Sequence, residues 1–99
     1  MPVLRVALDL PLHRLFDYVA PEASTADIGL RVRVPFGRSE KIGVIAEVVD
    51  SSEWPLAQLK PAGDILRDTP PLPADFLRLC QFASGYYQAA FGEVVMQAL

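Results

Sequence analysis

Apolar residues recur at every second position through the first half of the chain and at helical spacing near its end. From Val3 to Leu8, Leu4, Val6 and Leu8 fall on one face and Val3, Arg5 and Ala7 on the other, which predicts a strand. Pro11 ends that run. His13-Arg14 turns the chain into a second short strand, Leu15–Ala20, closed by Pro21. Glu22 to Gly29 is small and polar and reads as a loop. Leu30–Phe36 alternates most clearly, with Val32, Val34 and Phe36 inward and Arg31 and Arg33 outward. Turn formers at Gly37-Arg38-Ser39-Glu40 lead into Lys41–Val49, whose expected core face is Ile42, Val44, Ala46 and Val48. Gly43, in the middle of that strand, predicts a bulge or sharp bend. Strands this short, with bends, predict a small curled sheet or partial barrel.

The pattern changes after Asp50. Ser51–Pro61 reads as a loop holding Trp54-Pro55, and Ile65-Leu66 as a short added strand. Thr69-Pro70-Pro71-Leu72-Pro73 is a stiff connection. Asp75 to Gln88 then carries Phe76, Leu79, Cys80, Ala83 and Tyr87 at helical spacing. Gly92 interrupts the pattern, and Glu93–Leu99 begins a second helix. The expected fold class is α+β, a curled sheet over residues 1–66 followed by helices over residues 73–99 of one domain. The final Met96-Gln97-Ala98-Leu99 has no closing turn or charged tail and reads as the edge of a longer protein.

Composition narrows the function classes. The 99 residues are 52% hydrophobic and 21% charged, enough to build a core. A net charge of −3 opposes sequence-blind binding along a duplex, which needs many basic contacts. The charge is unevenly spread: Arg31, Arg33, Arg38 and Lys41 fall between Leu30 and Ile42 against Glu40 alone. A local basic strand of this kind holds one or two phosphates rather than a long track. With one Cys and one His, the chain has no zinc-ligand cluster and no internal disulfide. Cys80 reads as a buried thiol and His13 as a solvated turn residue. No run reaches the ~20 apolar residues of a membrane span, and no signal peptide is evident at the N-terminus, so a cytoplasmic setting is expected. No catalytic constellation and no phosphate-binding glycine loop is present.

Phe16-Asp17 invites two readings. One is a core Phe beside a turn-forming Asp. The other is the lip of a pocket, where an aromatic ring stacks on a base and an exposed carboxylate accepts from a hydroxyl or a base amino group. Gly37 in a tight turn lets another backbone approach closely. Arg31, Arg33 and Lys41 are secondary candidates for a phosphate, or else simply the solvated face of a sheet.

These residues carry a resemblance. Met1-Pro2-Val3, Val6-Ala7-Leu8, Pro11-Leu12 with Phe16-Asp17-Tyr18, and Gly29 with Arg31-Val32-Arg33-Val34-Pro35-Phe36-Gly37 stand in the order and spacing of one family. Ile42-Gly43, Leu59-Lys60, Tyr86-Tyr87 and Gly92-Glu93-Val94 continue it. The chain resembles the N-terminal domain of the PriA family of bacterial replication-restart helicases (primosomal protein N′) along its whole length. It departs from the pattern in the loops Ala23–Ile28 and Ser39–Lys41. The resemblance implies an OB-like module that binds the 3′-terminal nucleotide of the nascent leading strand at a stalled fork. It implies a binding site of Phe16, Asp17, Gly37 and Lys60, with single-stranded or forked DNA bearing a free 3′-OH as ligand. It implies no catalysis in this domain: the ATP, magnesium and zinc of the 3′–5′ helicase belong to the remaining domains. Those domains, the primosome and single-strand-binding proteins are the implied partners. The rival expectation from another class is a protein-interaction module docking through Tyr86–Leu99.

Overall fold

The computed structural model describes residues 1–11, 14–87 and 91–97, the side chains of 82–87, 91 and 97 aside. The fold is α+β, as expected. Strands β1 (Val3–Ala7), β2 (Phe16–Val19), β3 (Arg31–Phe36), β4 (Ser39–Val49) and β5 (Ile65–Leu66) precede helices α1 (Ala74–Tyr87) and α2 (Phe91–Gln97). All strand pairs are antiparallel, in the order β2-β1-β4-β3-β5. Leu4, Val6, Tyr18, Val32, Val34 and Ile45 fill the concave side of the sheet, with Leu8, Ala20, Ala23 and Leu30 at its ends.

Left alone, β2 and β3 would expose unpaired edges. One run of chain covers both. Val19 N–H donates to the Lys60 carbonyl (3.0 Å), and Ala62 N–H donates to the Val19 carbonyl (2.9 Å). The same run then crosses to β3: Gly63 N–H donates to the Arg33 carbonyl and Arg33 N–H to the Asp64 carbonyl, before β5 pairs with Arg31 and Val32. Inside the gap, the Tyr18 hydroxyl donates to the Pro35 carbonyl at 2.8 Å. Pro35 lies past the end of β5, where β3 needs no N–H donor. Burial pushes the Tyr18 phenol up, which keeps it a donor. The sheet thus curls into the small barrel-like form that an OB-like domain requires.

Strand β4 differs from the simple alternation. Arg5 pairs with Glu47 and Val6 with Ile45, leaving Ala46 as the extra residue of a bulge. The bulge therefore sits at Ala46, and Gly43 has another purpose. A Cβ on Gly43 would lie 2.5 Å from Val6 Cγ1 and 2.6 Å from the Ala7 carbonyl oxygen, so glycine lets β1 and β4 approach. The shift in phase turns Ile45 and Val48 to the concave core and Val44 to the opposite side. Ile42, expected in the core, is 41% exposed.

Val44 joins Leu77, Cys80 and Val95 in a second core beneath the helices. Leu79, expected on the buried face of α1, is 61% exposed, and Leu77 takes that place. The expected core residues Ala83 and Tyr87 lie outside the described side chains. Gly92 does not break a helix. It stands inside α2, where a Cβ would fall 1.6 Å from the Leu8 carbonyl oxygen. Small size at Gly92 is what seats α2 on the end of β1. Burial pushes the Cys80 thiol up, so it stays protonated and unreactive. The rival docking surface, Tyr86–Leu99, lies mostly outside the described side chains. Of its described part, Val94, Val95 and Met96 pack on this domain's own core. Among the described residues, no helix is long and apolar enough to cross a membrane.

The loop over residues 22–29 holds a single 3-10 turn, Thr25–Asp27, capped by Ser24. Asp27 is only 3% exposed and pairs with Arg67, which follows β5; Arg67 Nη2 lies 3.2 Å from Asp27 Oδ2. The Arg67 hydrogen bond holds the Asp27 carboxyl below the usual carboxylate range, with the Ser24 N–H assisting and burial opposing. The ion pair ties the loop before β3 to the closing run. A carboxyl lowered in the folded state stabilises above its unfolded value, 3.8, and that stabilisation is lost as pH falls through the folded value. Asp27→Asn is expected to melt well below the parent at pH 7, with the difference shrinking below pH 3.8. A difference in melting temperature that stays constant from neutral to strongly acidic pH would contradict this role.

Candidate nucleic-acid interface

Curling brings the end of β2, the β3–β4 turn and the start of the closing run to one place. A cavity of about 300 Å³ opens there. Phe16, Asp17, Gly37 and Lys60, the four residues singled out in the sequence, all line it. Phe16 pairs across β1 with Val6 and so lies on the concave face. Its ring meets Phe36 edge-on, with centroids 5.4 Å apart and planes at 84°. The two readings of Phe16 are therefore compatible: one side of the ring packs on the core and the residue also walls the cavity. Gly37 is the first residue of a two-residue turn between Phe36 and Ser39, with φ of +62°. A Cβ added there would meet no protein atom within 4 Å. The turn needs glycine for its backbone, and the space in front of it is open. Lys60 is exposed, with its carbonyl anchored by Val19.

Asp17 lies on the other face of β2 from Phe16, opposite Arg5. Its Oδ2 accepts from the Ser52 hydroxyl at 2.5 Å, and its Oδ1 lies 3.9 Å from Arg5 Nε. Arg5 in turn donates from Nη1 to Glu47 Oε2 at 3.2 Å. The Asp17 side chain is only 13% exposed. It is thus a held carboxylate, not the exposed one expected at a pocket lip. Among the described residues, no hydrogen bond reaches Oδ1, and that oxygen remains available as an acceptor.

Beside these four and Tyr18, Pro35, Phe36, Gln58 and Leu59, the cavity is lined by Arg14 and Trp54. The Arg14 guanidinium carbon stands 4.7 Å from the Phe16 ring centroid, a cation–π arrangement. Its position two residues before Phe16, one strand period away, was the available signal. Trp54 lines the rim and is 52% exposed. A lone tryptophan in a Ser-, Glu- and Pro-containing loop was the signal there. The secondary candidates are not gathered at the cavity. Arg31 and Arg33 pair with Val44 and Ile42 and so face the side of β3 away from Phe36. Lys41 shares the face of Val34, with its ammonium 5.8 Å from the centroid of the Phe36 ring, and does not itself line the cavity. His13 lies outside the described residues. Among the described residues, no group of His, Cys, Asp and Glu is arranged to hold a metal ion.

The model of a family described as the 3′DNA-binding domain (3′BD) matches residues 5–99. The chain is 38% identical over 99 residues to the replication restart protein PriA of Haemophilus influenzae, covering 100% of this chain and 14% of that protein. The matched range holds every wall of the cavity and both helices, and the chain belongs to the PriA 3′DNA-binding domain family.

Proposed function

We propose that this domain captures the 3′-terminal nucleotide of a DNA strand, largely without base preference. In doing so it positions a replication-restart helicase at the nascent leading-strand 3′ end of a stalled fork. The observation that carries this reading is the convergence of Phe16, Asp17, Gly37 and Lys60 on one cavity from three separate parts of the chain. Phe16 supplies an apolar wall that any base can pack against. Asp17 Oδ1 accepts from the terminal 3′-OH or from a base edge. Gly37 leaves room for the nucleotide to approach the turn. The exposed Lys60 ammonium pairs with a phosphate. This chain spans 14% of the relative's length. The helicase reaction with its ATP, magnesium and zinc, the primosome and single-strand-binding partners, and the cytoplasmic setting belong to the proposal for the longer protein.

The end chemistry is testable. A 3′-phosphate would bring like charge toward Asp17. An oligonucleotide ending in 3′-phosphate is expected to bind at least severalfold more weakly than its 3′-OH form in fluorescence anisotropy. Asp17→Asn keeps an acceptor for Ser52 and removes the charge, so it should shrink that gap. Equal affinities of the parent for the two ends would refute the role of Asp17.

Salt dependence gives a second check. Engagement of one or two phosphates, at ~0.7 per phosphate of a single strand, predicts a slope of log affinity against log salt of about −0.7 to −1.5. A slope steeper than about −3 would reveal an extended basic track and contradict a compact end-binding site.

A further inference from the structure

A second hollow, of about 360 Å³, adjoins the first and is lined by Arg5, Arg14, Leu15, Asp17, Glu53 and Trp54. Arg14, Asp17 and Trp54 line both hollows and so form the partition between them. We propose that this hollow is a second nucleotide subsite, in which Trp54 stacks the base on the 5′ side of the terminal nucleotide and Arg14 meets the phosphate joining the two. The proposal rests on the 3′-end reading above and extends it by one nucleotide.

Three observations support it. Trp54 is the chain's one tryptophan, and its side chain is left half exposed in a loop, which no core demands. The loop is nevertheless held in place. The backbone N–H of Trp54 donates to Ser52 Oγ at 3.1 Å, and the Ser52 hydroxyl donates to Asp17 Oδ2 at 2.5 Å. The loop backbone that carries the indole is therefore tied to the same carboxylate that is proposed to receive the 3′ end, which lowers the cost of ordering the loop on binding. Arg14 is exposed and rests on the Phe16 ring. Among the described residues it has no carboxylate partner; Arg31, Arg33 and Arg38 have none either, but of these four Arg14 alone lines the two hollows. A guanidinium on the partition is placed for the one group that must cross it, the linking phosphate. Glu53 and Asp17 also line the hollow, and their negative charge disfavours phosphate away from Arg14 and Arg5.

The test uses the chain as it stands and 3′-OH oligonucleotides of one length: intact, or abasic at the penultimate position. The parent is expected to bind the penultimate-abasic strand about fivefold or more weakly than the intact one, the low end of what base–aromatic stacking contributes. The intact strand should quench the tryptophan emission, and the abasic strand should quench it less. Trp54→Ala should bind the intact strand about as weakly as the parent binds the abasic one, and should no longer distinguish the two; Trp54→Phe should restore part of the difference. If the parent prefers 3′-OH over 3′-phosphate but binds intact and penultimate-abasic strands equally, the second subsite is overturned and the 3′-end reading stands. If the parent shows no 3′-OH preference, the 3′-end reading fails and the subsite fails with it. The parent's own comparison of the two strands decides the matter even if Trp54→Ala does not fold.

Discussion

The run from Lys60 to Leu66 is the element on which the site depends. A five-stranded antiparallel sheet of this size can remain open, with two exposed edges. Here one short segment bonds first to Val19 on β2 and then to Arg31–Arg33 on β3, so the same few residues cap the end of one edge and pair with the other. Closure in turn places Phe16 against Phe36 and the Tyr18 hydroxyl against the Pro35 carbonyl. Lys60 arrives beside the cavity because its own carbonyl takes part in the closure. The cavity is thus the place where the curl is joined but not filled.

A second constraint decides what the cavity walls contain. Strand β4 is paired on both sides and has a core on both faces, with Ile45 turned to one and Val44 to the other. Polar residues gather where β1 pairs with β2 and with the last part of β4: Arg5, Asp17 and Glu47, joined by Ser52 from the loop after β4, form one half-buried network on the outer face. In that setting the Asp17 carboxylate is fixed by two neighbours before any ligand arrives. A pre-positioned acceptor loses less freedom on binding than an exposed one would.

Much of this was legible in the residues. Alternation was clearest in Leu30–Phe36, where Arg31 and Arg33 mark the outer face; Val3–Ala7 is apolar except at Arg5 and is buried on both faces. Phe16, Asp17 and Gly37 stood out by residue type and position, with a core reading of Phe16 equally open, whereas Lys60 joined them only through the family resemblance, since residues this far apart share no local pattern. Three features stayed hidden. The bulge at Ala46 depends on how β1 and β4 pair, and β4's own sequence offers Gly43 as the more obvious candidate. The burial of Asp27 depends on Arg67, 40 residues away. The burial of Leu77 in place of Leu79 depends on which side of α1 meets Val44 and Val95. Each is settled by a tertiary partner, so a local reading has nothing to act on.

Entry of the terminal nucleotide into the cavity at the closed seam is tested most directly by the amide spectrum of the isotopically labelled chain, followed while a short 3′-OH single strand is added. The largest shifts are expected at Asp17, Tyr18, Gly37 and Lys60. Shifts centred instead on Arg31, Arg33 and Ile42, on the far side of β3, with the seam unmoved, would contradict it.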